Sequence, residues 1–129
     1  MIVTHGQIGR SLIDVAEFIL DQSLATVHFV SFRQSEMEET GDDEINRAID
    51  NADQGCGVLV LTDISGASPC NYVAKLLPRD RVALVSGINL AMLIRVWNYR
   101  NKPLRQLVKL ATDGEVRDIT EHSKGFNGT

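Results

Sequence analysis

The stretch Gly57-Val-Leu-Val-Leu-Thr62 decides the fold. A continuous apolar run of this length is typical of a parallel strand that is buried on both faces. A polar loop, Asp63–Ala67, follows it. After the loop, Ser68-Pro69 predicts a helix with Ser68 as its N-cap and proline at its first position, running to about Leu77. A buried strand, a polar loop and a helix in this order form the repeating unit of an α/β sheet.

The same alternation continues on both sides of this stretch. Upstream, the pattern predicts a strand at Ile2–Thr4, a helix over Arg10–Asp21, a strand over Thr26–Phe32 and a helix over Asp42–Asp53. Downstream, it predicts a strand at Val82–Ser86, helices from Asn89 to about Arg100 and over Pro103–Thr112, and a last short strand over Glu115–Thr120. We therefore predict an α/β protein with an open, mostly parallel four-stranded sheet, helices on both faces and an extra C-terminal edge strand.

Length and composition predict one globular domain. The chain has 129 residues, of which 43% are hydrophobic. We expect a single domain over residues 1–121 and a flexible tail over residues 122–129. No apolar run is long enough to span a membrane and nothing resembles a signal peptide, so we expect a cytoplasmic protein without direct membrane insertion. Two cysteines are too few for a disulfide framework or a cysteine metal site, and we expect no metal and no cofactor.

The charge is unevenly distributed along the chain. Residues 1–78 hold four basic and twelve acidic side chains, a balance of −8, whereas residues 79–129 hold nine basic and five acidic ones, a balance of +4. No basic stripe is interleaved with aromatic residues, so we expect no nucleic acid as a partner. Two differently charged solvated faces explain the split, and a face that steers a charged protein partner is the alternative.

Three of the four predicted strand ends carry polar or glycine-rich turns. These are Thr4-His5-Gly6, Asp63–Pro69 and Ser86-Gly87-Ile-Asn89. Since the carboxyl ends of parallel strands share one edge, the three turns should converge there, and the helix N-termini at that edge favour anions. The chain has no phosphate-binding loop of the G-x-x-x-x-G-K-[ST] type, no G-x-G-x-x-G, no G-x-S-x-G and no H-E-x-x-H, which makes a nucleotide a weak candidate ligand.

His5 is the one nucleophile at this edge with an obvious partner. A carboxylate that accepts the N–H of one ring nitrogen leaves a lone pair on the other, and Asp63 is well placed for this. Donors for the three oxygens of a transferred phosphoryl group could come from Ser68 and from the backbone amides of Cys70 and Asn71. Each residue taken alone has a purely structural interpretation, as a strand-end histidine or a loop cap.

The four motifs, in order, resemble the IIA component of the mannose/fructose/sorbose-type phosphotransferase system. They are Thr4-His5-Gly6, Asp53–Asp63, Gly66–Asn71 and Ser86–Leu93, and the resemblance extends from the first strand to at least Ala111.

The resemblance implies a phosphocarrier, usually a homodimer. The histidine that takes a phosphoryl group from phospho-HPr and passes it to a IIB partner corresponds to His5, and the carboxylate that orients it corresponds to Asp63. Ser68 corresponds to the hydroxyl at the mouth of the phosphate pocket. Gly66, Cys70, Asn71, Gly87 and Asn89 complete the expected phosphate-binding set.

This sequence departs from the family pattern at two places. Many relatives have glycine where Ala67 stands, and a positive φ there would strain alanine. Relatives also carry more apolar residues before the histidine, so either the true start lies upstream of Met1 or the sheet is abbreviated. The transported sugar is not encoded here.

The sequence also allows other functions and predicts an oligomeric state. A regulatory or binding module of an incomplete phosphotransferase branch, without sugar transport, is the alternative to phosphoryl transfer, and a hydrolase using His5 and Asp63 lacks a supporting motif. An apolar stripe through Leu104, Leu107 and Val108, beside the edge strand Glu115–Thr120, predicts a homodimer.

Overall fold

Strands and helices alternate along the described part of the chain. The structure is a computed structural model, and it describes residues 1–33, 44–113, 118–123 and 125. The strands are β1 (Ile2–His5), β2 (Phe29–Phe32), β3 (Val58–Thr62) and β4 (Val82–Ser86). The helices are α1 (Ile8–Leu20), α2 (residues 44–52), α3 (Ser68–Lys75), α4 (Leu90–Asn98) and α5 (Leu104–Thr112). No helix among the described residues is both long and apolar enough to cross a membrane.

The strands form one sheet in the order β2-β1-β3-β4. Every pairing between these strands is parallel. β1 pairs with β2 along its whole length and with β3 through Ile2 and Val3, and β3 pairs with β4 from Val58 to Thr62. The chain starts in the middle of the sheet and winds outward in both directions, which places helices on both faces. The predicted open α/β sheet is confirmed.

Each face of the sheet carries its own apolar core, because successive strand residues point to opposite faces. The face covered by α1, α4 and α5 buries Ile2, Ile13, Ala16, Leu24, Leu59, Leu61, Val85, Met92, Leu93, Trp97, Leu107 and Ala111. The face covered by α2 and α3 buries Val3, Val30, Phe32, Ile45, Ile49, Val58, Val60 and Val73. The buried run that predicted β3 is therefore shared between two cores.

Two predicted strands differ from the structure. The strand predicted over Thr26–Phe32 begins only at Phe29, because a local turn, in which the N–H of Val27 donates to the carbonyl of Leu24 at 2.9 Å, outweighs the β-propensity of the residues before it. Of the predicted strand Glu115–Thr120, residues 115–117 lie outside the described residues and residues 118–120 are not in a strand. The extra edge strand is therefore not part of the described sheet.

The apolar stripe on α5 is used by the chain's own core. Leu107 is buried, and Leu104 and Val108 pack against the same core cluster. The stripe that predicted a homodimer is therefore used, at least in part, within the chain itself.

Helix α1 begins very close to the sheet. It starts at Ile8 rather than at the predicted Arg10, and the N–H of Gly9 donates to Oγ1 of Thr4 at 2.9 Å. A Cβ atom at Gly9 would lie 2.5 Å from Cε2 of Phe29 and 2.7 Å from Cγ2 of Ile2. Glycine at this position therefore allows α1 to pack directly over β1 and β2, immediately after His5.

We expect Gly9→Ala to destabilise the protein by about 1–3 kcal/mol, because the added methyl group overlaps Phe29 and Ile2. The direction of this change in stability is informative. Replacing glycine by alanine inside a helix ordinarily stabilises a protein by about 1 kcal/mol, so a loss of stability would indicate the overlap. Urea unfolding followed by circular dichroism measures the change. Asp14→Ala, at an exposed position of the same helix, is the matched control and should stay within about 0.5 kcal/mol. A Gly9→Ala variant as stable as the wild type would contradict the close packing.

Candidate functional site

The ends of β1 and β3 bring His5 and Asp63 into contact. Val3 is the partner of Thr62 in the parallel pairing, so the two strands reach the same edge of the sheet. Nδ1 of His5 lies 2.6 Å from Oδ2 of Asp63, and the backbone N–H of His5 donates to the same oxygen at 2.9 Å. The contact expected between these two side chains is present, and their chemical roles remain predictions.

The Asp63 carboxylate is held by three donors. Its side chain is only 12% exposed, and its second oxygen accepts the N–H of Ile64 at 3.0 Å. Burial raises the pKa of the Asp63 carboxyl, but hydrogen bonds from the backbone and ring of His5, the attraction of that ring and the Ile64 bond together bring the pKa below its ordinary value. Asp63 is therefore ionised at neutral pH and can only accept hydrogen bonds.

The ionised carboxylate determines the tautomer of His5. In the neutral ring, the nitrogen facing Asp63, Nδ1, carries the hydrogen, and Nε2 holds the lone pair. The side chain is 48% exposed, and its edge contacts Phe32, with ring centroids 6.2 Å apart. The arrangement presents an oriented nucleophilic nitrogen at an accessible edge of the sheet.

The end of β2 also supports this edge, which sequence reasoning missed. The hydroxyl of Ser31 donates to the carbonyl of Gly6 at 2.8 Å, and this holds the turn directly after His5. On the other side of the turn, Thr4 accepts the N–H of Gly9. Ser31 pairs with Thr4 in the parallel register of β1 and β2, and only this register identifies it.

The loop between β3 and α3 differs from the prediction at the cap. Gly66 has φ +81°, which favours glycine, whereas Ala67 is extended with φ −91° and is itself the N-cap. The strain considered for alanine at this position does not arise. Ser68 is the first residue of the helix and makes no side-chain cap bond, so the prediction of Ser68 as N-cap is wrong. The cap lies one residue earlier because the carbonyl of Ala67 accepts the N–H of Asn71 at 3.0 Å.

Asn71 is already engaged in holding this loop. Its backbone N–H forms the bond to Ala67, and its side-chain amide donates to the carbonyl of Gly66 at 3.2 Å. The backbone donor that sequence reasoning assigned to a phosphate is therefore used within the helix. Ser68 and Cys70, both half-buried, remain at the start of α3.

The loop after β4 reaches the same edge. The N–H of Ile88 donates to the carbonyl of Thr62 at 2.9 Å, which places the loop beside the residue that precedes Asp63. Gly87 has φ +89°. Oδ1 of Asn89 accepts the N–H of Met92 at 2.9 Å, so this side chain caps α4. His5, Asp63 and the Gly87–Asn89 segment are thus brought together by hydrogen bonds.

No group of three or more histidine, cysteine or carboxylate side chains that could hold a metal ion occurs in the part of the chain that the structure describes.

This chain is similar to known proteins in sequence and in structure. The family model of the "PTS system fructose IIA component" (EIIA-man) matches residues 1–109. The "PTS system mannose-specific EIIAB component" of Escherichia coli K12 is 28% identical over 116 residues, which are 88% of this chain and 36% of that protein. This chain therefore spans about a third of the length of the curated relatives it matches.

Solved structures share the fold. The phosphotransferase system component EIIA of Streptococcus agalactiae has a TM-score of 0.79 at 22% identity, and the match covers 93% of each chain. The mannose/sorbose-specific IIA subunit of Enterococcus faecalis has a TM-score of 0.73 at 22% identity, covering 97% of this chain and 95% of that one.

The fold and the family match define a class, the phosphotransferase-system components built on an open α/β sheet. More specifically, this chain belongs to the family of the PTS fructose IIA component. The resemblance stated from the motifs is confirmed, and the family is a phosphotransferase component of a sugar phosphotransferase system.

We expect Ser68→Ala and Asn89→Ala to differ in stability, because only Asn89 caps a helix with its side chain. Loss of the Asn89 cap should cost about 1 kcal/mol, whereas Ser68→Ala should stay within about 0.5 kcal/mol. Paired urea titrations of the two variants measure the difference. Equal losses would mean that Ser68 stabilises the start of α3 after all.

We also expect a pH dependence of stability that depends on Asp63. The folded-state pKa of this carboxyl is lowered, so its contribution is fully present above the unfolded pKa of about 3.9 and is lost as the pH falls through the folded pKa. Asp63→Asn should therefore be less stable than the wild type at pH 6, and the difference should shrink towards pH 3. Free energies of unfolding in urea across that range test this, and a constant difference would contradict the lowered pKa.

Proposed function

We propose that this chain accepts a phosphoryl group from phospho-HPr on Nε2 of His5 and passes it to a IIB partner, as a step in sugar uptake and phosphorylation. The observation that carries the proposal is the 2.6 Å contact between Nδ1 of His5 and Asp63 at an accessible edge of the sheet. Membership of the IIA family supports it. The site of action would be the cytoplasm.

The contacts of His5 support a defined order of events. The lone pair on Nε2 attacks phosphorus, the bond from phosphorus to the donor breaks, and its electron pair leaves with the donor. The hydrogen on Nδ1 stays in the bond to Asp63, whose negative charge stabilises the positive charge that develops on the ring. In the transfer to the IIB partner, a nucleophilic atom of the partner bonds to phosphorus, the bond from phosphorus to Nε2 breaks, and its electron pair returns to the ring as the lone pair of Nε2.

The loops around His5 support binding of the phosphoryl oxygens. α3 begins at Ser68, and the first N–H groups of a helix favour negative charge. The Ser68 hydroxyl is not used as a cap and could donate, as could the backbone amide of Cys70. A Cβ atom at Gly66 or Gly87 would meet no heavy atom within 4 Å, so both positions leave space beside the loop backbone. Asn71 and Asn89 would act by shaping these loops.

Intact-mass measurement tests the proposal. After incubation with phosphoenolpyruvate, enzyme I and HPr, the wild type should gain the mass of one phosphoryl group, and acid should remove it. His5→Ala should gain none, because no other group replaces the nucleophile. His122→Ala, which removes another exposed histidine, should label like the wild type. Labelling that persists in His5→Ala would refute the assignment.

Asp63→Asn separates orientation from mere proximity. The amide can present an N–H to Nδ1, which favours the tautomer with hydrogen on Nε2. We expect phosphorylation to slow by about two orders of magnitude or more, far beyond what the change in stability explains. A wild-type rate would make Asp63 a structural loop residue. A chain that takes no phosphoryl group but binds phosphorylated ligands would instead fit a regulatory module.

The homodimer implied by the resemblance is also part of this proposal. Within the α5 stripe, Leu107 is buried and Leu104 and Val108 are partly buried against the chain's own core.

A further inference from the structure

A pocket lies towards the edge of the sheet where the strands begin, away from His5. It is an open cavity of about 480 Å³ between the starts of β1 and β3 and the C-terminal end of α4. A volume of this size is typical of pockets that hold small molecules. Neither His5 nor Asp63 lines it, so the proposed phosphoryl transfer gives it no role.

The walls of the pocket are mainly apolar and reach one of the two cores. Leu59, Leu93 and Leu107 line it, and all three belong to the buried cluster on the face covered by α1, α4 and α5. Val27 and Trp97 extend this apolar lining. An apolar tail that enters the pocket would therefore contact core residues and leave water.

The charged residues of the pocket are basic. Arg100 and Lys102 follow the end of α4, both are exposed, and no Asp or Glu is among the described residues that line the pocket. Within the described part of the chain, neither of these cations pairs with a carboxylate. The carboxylate of Asp53, close by in sequence, instead accepts the N–H groups of Gly55 and Gly57. The pocket is thus apolar inside and positive where it is exposed.

Arg100 is held in place and keeps hydrogen-bond donors for a ligand. Its guanidinium lies over the ring of Trp97, with 3.9 Å between Cζ and the ring centroid, and Nη1 donates to the carbonyl of Trp97 at 2.9 Å. Among the described residues, Nε and Nη2 of Arg100 have no such partner. A guanidinium that is already positioned loses less side-chain freedom when it donates to a carboxylate or phosphate.

We propose that this pocket binds a small amphipathic anion, a molecule with an apolar tail and a single carboxylate or phosphate head. The tail would contact Leu59, Leu93 and Leu107, and the head would accept hydrogen bonds from Arg100 in the field of Lys102. The same two cations disfavour a second copy of this face as the occupant, because like charges would meet.

The inference goes beyond the proposed function. It uses neither His5 nor the phosphoryl chemistry, so either can fail without the other.

Titration of the wild type with octanoate and with octyl phosphate tests the pocket. Trp97 is the only tryptophan of the chain and lines the pocket, so its fluorescence reports occupancy. Both anions should bind with dissociation constants on the order of 100 µM, as expected for ligands of roughly ten heavy atoms. Octan-1-ol, which has the same tail and a neutral head, should bind at least about 10-fold more weakly. Whichever anion binds more tightly identifies the head that the pocket prefers.

Two double variants with the same change in charge test the cations. Arg100→Gln with Lys102→Gln should weaken binding of both anions at least about 10-fold and leave binding of octan-1-ol unchanged. Arg105→Gln with Lys109→Gln, at exposed positions of α5 that do not line the pocket, is the matched control and should bind like the wild type. Because Arg100→Gln also alters the surroundings of Trp97, isothermal titration calorimetry gives the constants for these variants.

Alkylation of the two cysteines gives a second readout. Cys56 is exposed and lines the pocket, whereas Cys70 does not line it. Saturating octanoate should slow the reaction of Cys56 with iodoacetamide about 5-fold or more and leave that of Cys70 unchanged, as measured by peptide mass spectrometry.

Three results would overturn the proposal. They are octan-1-ol that binds as tightly as octanoate, anion binding that survives in the variant of Arg100 and Lys102, and no binding of either anion up to about 5 mM.

Discussion

The parallel pairing of β1 with its neighbours on both sides fixes where the groups of the site stand. His5 is at the end of β1 and meets Asp63 from β3, while Ser31 of β2 holds the carbonyl of Gly6. A slip of one residue in β1 would turn the His5 side chain to the other face of the sheet, and the 2.6 Å contact with Asp63 could not form. The cores on both faces oppose such a slip, because it would exchange Ile2 and Val3 between them.

Near His5, several polar side chains form hydrogen bonds with backbone groups of the surrounding loops and helices. Ser31 and Asn71 donate to loop carbonyls, and Asn89 accepts an N–H at the start of α4. These bonds keep the loops in one shape before any ligand arrives, which lowers the reorganisation that a transferred charge would require. Neither Nε2 of His5 nor the hydroxyl of Ser68 serves as a loop or helix cap in this way.

The strands β3 and β4 were predictable because each coincides with a continuous, largely apolar run in the sequence. Val82–Ser86 was predicted to the residue, and β3 differs from the prediction by one residue. The edge strand β2 was predicted too long, since Thr26 and Val27 favour strands but take part in a turn. α1 was predicted from the apolar spacing that starts at Leu12, whereas it begins at Ile8, where the missing side chain of Gly9 lets the helix pack.

The site was predictable where topology alone determines it. Because the carboxyl ends of parallel strands lie at one edge of the sheet, His5 and Asp63 are expected there for any conformation of the loops. The cap of α3 was predicted one residue late because the local backbone angles decide between Ala67 and Ser68, and proline is compatible with either of the first two helical positions. Ser31 was missed because a serine at the end of a strand matches no motif and is recognisable only from its register with Thr4.

Three parts of helix α1 make different contacts: its N-terminus, its buried side and its outer side. Its N-terminus follows His5 after one short turn, its buried side needs glycine at Gly9, and its outer side carries Phe18. A shift of the helix would strain the first two contacts together, so the outer side is held in a fixed position relative to His5. The bond between His5 and Asp63, however, joins residues at the ends of β1 and β3 and involves no residue of the helix. Contacts made on the outer side can therefore change without altering the distance that orients the ring.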